Sequence, residues 1–156
     1  RNEVLNAKIN GNYVQSTVAL NEALEEGFEE TLMLDSEGFV AEGSGENFFM
    51  VKDNKLISPD LDACLDGITR RTIISLAKEL DIEFEERKIQ LDEVFESDEA
   101  FFTGTAAEVV PINALDKRSI SDGKRGPVTE KLQKAYLDQV RGKRSENKDW
   151  HTPVDS

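Results

Sequence analysis

The chain has 156 residues, 38% of them apolar, and 19 basic against 32 acidic side chains leave a net charge of −13; that length suits one domain with a core of its own, and eight Phe set mostly among aliphatic residues argue against disorder throughout. The acidic surplus disfavours a nucleic acid or an anionic membrane as partner, nothing reads as a membrane span or a signal peptide, and any anionic ligand would need a local device such as a helix N-terminus or clustered backbone N–H groups. Cys64 is the only cysteine and His151 the only histidine, so the sequence predicts a reducing, cytoplasmic setting (an organelle matrix fits equally) without an internal disulfide, no Ser-His-Asp triad or His-rich metal site within the chain, and acid–base chemistry that falls to lysine, tyrosine or a carboxylate.

The first residue is Arg1 and not Met, which reads as a chain cut or processed at its start. From Arg1 to Gly11 there is no clear period. Val14 to about Glu26 carries an apolar stripe at helical spacing, and Gly27 sits where a C-terminal glycine cap belongs. Glu30 to Leu34 and Phe39 to Glu42 predict a hairpin with Gly38 in its turn. Gly43-Ser44-Gly45 marks a second sharp turn, and Asn47 to Val51 with Lys55 to Ser58 predicts a second hairpin around Asp53-Asn54. A helix is expected from Thr69, read as its N-cap, to near Leu80. A strand is expected over Ile82 to Ile89, and a short helix over Leu91 to Phe95, capped by Asp92 or by the turn at Leu91. Strands over Ala100 to Thr103 and Glu108 to Ile112 flank Gly104-Thr105-Ala106, and a hairpin is expected around Asp122-Gly123. Gly126-Pro127-Val128-Thr129 opens a last helix to about Val140, and a polar tail follows from Gly142, interrupted by Trp150 and Val154. Hairpins grouped between helices read as an α+β fold with a largely antiparallel sheet.

Four short segments are candidates for chemistry, and each also has a bland reading. Lys8, in a small polar setting, is a solvated charge unless desolvation or a neighbouring cation lowers its pKa enough to make it a nucleophile. Glu42 stands at a strand end beside two glycines that would let backbone approach a ligand closely; a solvated turn explains it as well. Gly67-Ile68-Thr69-Arg70 offers free N–H groups and a hydroxyl to a phosphate, or is an ordinary helix start. Thr103-Gly104-Thr105-Ala106-Ala107 offers consecutive N–H groups to a second anion, or is a plain turn.

The order of these blocks is more specific than any one of them. Ala7-Lys8 with Gly11-Asn12-Tyr13, Glu42-Gly43-Ser44-Gly45-Glu46-Asn47-Phe48-Phe49, Gly67-Ile68-Thr69-Arg70, Thr103-Gly104-Thr105-Ala106-Ala107-Glu108 and Gly126-Pro127-Val128-Thr129 together resemble the fold-type IV, class IV pyridoxal-phosphate-dependent aminotransferases, above all the branched-chain aminotransferases. The resemblance spans nearly the whole chain. It implies the C-terminal large domain of that fold, a pseudo-barrel with flanking helices, over residues 1–141. Residues 142–156 would be a polar tail, and the family's smaller N-terminal domain would be missing. It implies pyridoxal 5′-phosphate as cofactor, with Lys8 as the lysine that forms the internal aldimine and moves the proton. Tyr13 would hydrogen-bond the phenolic oxygen, Glu42 would face the pyridine nitrogen and Leu65 would pack under the ring. Ile68, Thr69 and Thr105 would hold the phosphate, and Thr105 with Ala106 would offer N–H groups to the substrate carboxylate. The reaction implied moves an amino group between branched-chain L-amino acids and 2-oxoglutarate, in a dimer or larger homo-oligomer. A D-amino-acid aminotransferase, an aminodeoxychorismate lyase and an inactive cofactor-binding module are the other readings. The family's phosphate-gripping arginine and much of its apolar substrate pocket belong to the missing domain, and Asp66 stands where the family often has proline.

Overall fold

A computed structural model describes residues 10–62 and 64–152. A single 3-10 turn (Asn10–Tyr13) leads into helix α1 (Val14–Glu25). The strands are β1 (Leu32–Leu34), β2 (Val40–Gly43), β3 (Asn47–Lys52), β4 (Lys55–Ser58), β5 (Phe84–Glu86), β6 (Glu99–Gly104), β7 (Glu108–Pro111), β8 (Ala114–Leu115) and β9 (Arg118–Ser119); the other helices are α2 (Ile68–Glu79), α3 (Leu91–Phe95) and α4 (Pro127–Val140). Seven strands form one sheet around β3, which pairs with β2 at its start, with β4 further along, and with β6 on its other side. Among the described residues six strand pairings are antiparallel and one, β4–β5, is parallel, so the α+β, largely antiparallel expectation holds.

The continuous apolar run Phe48-Phe49-Met50-Val51 occupies the central strand, where both sheet faces are buried and alternate side chains serve opposite layers. Phe49 and Val51 join Leu56, Phe101 and Val109 beneath Ile73, Leu76 and Ala77 of α2 and Val128, Leu132 and Ala135 of α4. Phe48 and Met50 face the other way, onto Val40, Ile57, Ala100, Phe102, Ile89, Val94 and Ile120. Cross-strand register stacks Phe49 on Phe101, with ring centroids 5.2 Å apart, and sets Phe48 edge-on to Phe102 at 6.1 Å. Such pairs add about 0.5–1.5 kcal/mol each beyond their burial.

Four local expectations need correction. Thr69 is not the N-cap of α2: Gly67 holds that position, in extended backbone, while the Thr69 side chain turns inward and is 7% exposed. The strand expected over Ile82 to Ile89 shrinks to β5, because pairing with β4 ends at Ser58↔Glu86; beyond it Arg87 and Lys88 leave the sheet to meet Glu93 and Glu37. The cap of α3 is Gln90, in a capping box with Glu93, and neither Asp92 nor the Leu91 turn. The late hairpin is β8–β9, turning on Asp116 and Lys117, both left-handed; Asp122-Gly123 is a bend after it, closed by the Gly123 N–H on the Ile120 carbonyl. The segment after α4 lies along the helices: Arg144 and Asn147 both contact Glu79 of α2, and His151 Nε2 is 2.7 Å from the Gln139 carbonyl.

Candidate functional site

Three backbone turns meet at one end of the sheet. The first joins β2 to β3 through Gly43 to Glu46 and is closed by the Gly43 N–H on the Glu46 carbonyl at 2.7 Å. Two carboxylates hold its free donors: Glu30 Oε1 accepts from the Ser44 N–H at 3.2 Å and Glu46 Oε2 from the Gly45 N–H at 3.0 Å. Burial pushes the Glu46 carboxyl above its ordinary range; the Gly45 N–H opposes this, and the charges of Glu30 and Glu42 add to it. The second turn, Leu65 to Gly67, delivers the chain into α2. The third is Thr105 to Ala107 between β6 and β7, where the Thr103 hydroxyl donates to the Glu108 carbonyl at 2.5 Å. Gly104 at its base sits against Glu46 and the Gly45 carbonyl, so the first and third turns are in contact.

Glu42, next to last in β2, lies directly opposite Asn47. Its Oε2 accepts from the Leu65 N–H at 3.0 Å, which orients the carboxylate and pins Leu65 to the hairpin. Asn47, 6% exposed, takes the other side of the same residue, its Nδ2 donating to the Leu65 carbonyl at 2.7 Å. Three residues on, α2 begins, and no side chain among the described residues caps its first turn, which leaves early N–H groups open to an anion. Ile68 is 75% exposed at that end. Thr69 is buried just inside it, next to Tyr136 of α4; burial raises the Tyr136 phenol above its usual pKa, while the Thr69 hydroxyl works against the rise.

A concavity of about 550 Å³ opens at this helix end, lined by Ile68, Thr69, Thr105, Tyr136, Trp150 and His151 among others. Ile68, Thr69 and Thr105, three residues singled out in sequence for one phosphate, thus share one cup. Ala106 is exposed on the turn beside Thr105 and does not line it. Tyr13 is half-buried at the start of α1, its carbonyl accepting from the Thr17 hydroxyl at 2.8 Å. Lys8 lies outside the described residues. Arg70, adjacent to the cup in sequence, is turned away from it: 2% exposed, its guanidinium binds Glu86 at 2.5 Å and the Pro59 carbonyl at 3.4 Å. Cys64 donates its thiol to the Asp60 carbonyl at 3.2 Å, and burial pushes it up to about 12, which suits a structural thiol and not a nucleophile.

Four contributors carried no assigned role in the sequence. Asn47 follows Glu42 by five positions; a tight turn between two strands pairs them, and that spacing was the available signal. Tyr136 sits on the buried stripe of α4 and looks like any core aromatic. Trp150 and His151 belong to the polar tail, and no periodicity points at the cup.

The arrangement offers an anion the start of α2 and sets an oriented carboxylate, Glu42, one hydrogen bond from Leu65, three residues before that helix. Comparison with known proteins gives the same direction. The family model described as amino-transferase class IV matches residues 2–115. The branched-chain-amino-acid aminotransferase of Pseudomonas aeruginosa is 56% identical over 148 residues, 95% of this chain and 48% of its own length. The probable branched-chain-amino-acid aminotransferase of Aquifex aeolicus is 49% identical over 149 residues, with 94% of this chain and 48% of that protein covered. Among solved structures, the branched-chain amino acid aminotransferase from Thermobaculum terrenum in its PLP form superposes with a TM-score of 0.94 at 40% identity, covering 97% of this chain and 50% of that one. The chain spans about half the length of the curated relatives it matches.

Proposed function

This chain belongs to the class IV aminotransferases, and from that premise we propose that the protein is a pyridoxal-phosphate-dependent enzyme that transfers amino groups between branched-chain L-amino acids and 2-oxoglutarate. The observation that carries the reading is the pairing of an oriented carboxylate, Glu42, with an uncapped helix N-terminus reached through Leu65, Gly67 and Ile68. The cup fits the cofactor's phosphate on its own chemistry: the first turn of α2 has no side-chain cap, Thr69 brings a hydroxyl, and the neighbouring arginine, Arg70, is spent on Glu86. With a net charge of −13, such local donors are what an anion requires.

When bound, the cofactor supplies an electron sink that makes the amino acid's Cα–H acidic. The protein's own residues do the rest. Ile68 and Thr69 hold the phosphate by backbone N–H and by hydroxyl, with Thr105 from the opposite turn. Leu65, gripped through both its N–H and its carbonyl, is the floor under the ring. Glu42, held by the Leu65 N–H, keeps the ring nitrogen protonated. Tyr13 hydrogen-bonds the phenolic oxygen. Lys8 would anchor the cofactor and would serve as the general base that moves the proton, close to the carbon it acts on. Thr105 and Ala106 offer N–H groups to the substrate carboxylate. A homodimer or larger assembly of a soluble enzyme completes the reading.

The names of the matched relatives favour branched-chain L-amino acids over the D-amino-acid and aminodeoxychorismate readings. The test is a substrate panel on the full-length protein with 2-oxoglutarate as acceptor. Leucine, isoleucine and valine are expected to turn over far faster than D-alanine. Preference for D-alanine, or ammonia-free lyase activity on aminodeoxychorismate, would overturn the assignment.

A further inference from the structure

We propose that Asn47 is a positioning residue that sets the distance between the two ends of the site, the carboxylate of Glu42 and the N-terminus of α2. The inference rests on the reading of those two ends given above.

The Asn47 carboxamide is 6% exposed and reaches across 18 positions of sequence to the Leu65 carbonyl, at 2.7 Å. Leu65's N–H is held by Glu42 Oε2 at 3.0 Å. Because Glu42 and Asn47 are cross-strand partners, the end of the β2–β3 hairpin closes on Leu65 from both sides of its backbone. The same Leu65 carbonyl accepts from the Gly67 N–H at 2.9 Å, so the Asn47 amide joins a turn that already leads into the helix. The Asn47 Oδ1 lies over the Gly67 Cα, where a Cβ would overlap it. Gly67 has φ −67° and ψ 145°, a conformation any residue adopts, so its glycine answers to this close approach and not to backbone torsion.

One side chain therefore ties three parts of the site together. It fixes Leu65, through Leu65 it braces Glu42, and through Gly67 it seats the helix end that would hold the phosphate. Loss of the tie leaves both ends intact but lets their separation vary. A ligand that engages both ends at once should suffer; a ligand that engages one end should not. A buried amide left without its carbonyl partner also carries a desolvation cost, which is why the bond persists in the described conformation.

The experiment uses the full-length protein freed of cofactor and measures dissociation constants for pyridoxal phosphate, for pyridoxal and for inorganic phosphate. Asn47→Ala is expected to weaken pyridoxal phosphate about tenfold, the worth of one well-made hydrogen bond, and to change pyridoxal and phosphate much less. Gly67→Ala, which evicts the Asn47 amide from the other side, should reproduce the effect even if Asn47→Ala fails to fold. The double variant should be no worse than the weaker single, because both remove one contact. An unchanged ratio of pyridoxal phosphate to pyridoxal affinity in both variants, with only a lower melting temperature, overturns the inference and leaves Asn47 a structural residue. No binding of pyridoxal phosphate by the unsubstituted protein overturns the proposed function, and this inference with it.

Discussion

Two helices of this molecule start almost alike and end up in opposite service. Both α2 and α4 have a glycine at the N-cap, Gly67 and Gly126, in extended backbone and without a side-chain cap of their own. Both glycines lie against a buried polar side chain that a Cβ would overlap: the Asn47 amide at Gly67 and the Glu99 carboxylate at Gly126. The difference is where that side chain points. Glu99 Oε1 and Oε2 accept from the Val128 and Thr129 N–H groups at 3.0 and 2.7 Å, so the protein's own anion fills the α4 terminus. Asn47 instead donates to Leu65 and leaves the α2 terminus open. A helix end closed by a carboxylate holds the fold together; one left open is available to a ligand's anion.

Removing the closing carboxylate gives the largest expected effect. Glu99→Ala leaves two buried N–H groups without an acceptor and should cost about 3 kcal/mol of stability, read as a fall in the denaturation midpoint. The fraction still folded should bind pyridoxal phosphate as before. Loss of cofactor affinity without loss of stability would break the contrast between the two helices. At the open end the weights are reversed. Thr69→Val keeps the shape and removes the hydroxyl from both the cup and Tyr136; cofactor affinity should fall about tenfold, while stability falls by about 1 kcal/mol. The smallest effect sharpens how tightly the approach to α2 is packed. Cys64 has a folded pKa raised to about 12 by burial, above an unfolded value of about 8.5. Sign follows: both states are protonated below about pH 8.5, and above it the unfolded thiol ionises while the folded one does not, so its contribution to stability is lost as pH rises. Native protein at pH 8 should resist a thiol reagent that labels it at once in denaturant. Rapid labelling of the native state would show that this approach opens.

The sheet was legible because its signal is local. Phe48 to Val51 reads as a strand buried on both faces, and the turn at Asp53-Asn54, with both residues left-handed, announces its hairpin. Where a strand's length depends on its partner, sequence fails: a strand is expected over Ile82 to Ile89, yet only Phe84–Glu86 pairs, and the pairing stops at Glu86 because β4 ends opposite it, at Ser58. The β8–β9 turn hid behind Lys117, which adopts a left-handed conformation seldom chosen by lysine and lies with its ammonium over the Phe28 ring. In the site, Glu42, Ile68, Thr69 and Thr105 stood out through their blocks. The contacts that assemble them did not: Asn47 to Leu65 and Glu99 to Thr129 join distant segments, and one isolated Asn or Glu in a sequence gives no hint of such a partner. The α2 terminus was visible as a candidate anion site; the contrast with α4, whose first turn Glu99 closes, required the fold.

On the proposed function, this chain holds pyridoxal phosphate through Lys8 with the phosphate over α2. The most direct measurement is to add pyridoxal phosphate to the full-length protein, reduce with borohydride and map the labelled peptide by mass. The account predicts a single label, on Lys8, that is lost in Lys8→Ala together with turnover of leucine. A label on another lysine, labels scattered over surface lysines, or leucine turnover that survives Lys8→Ala would contradict it.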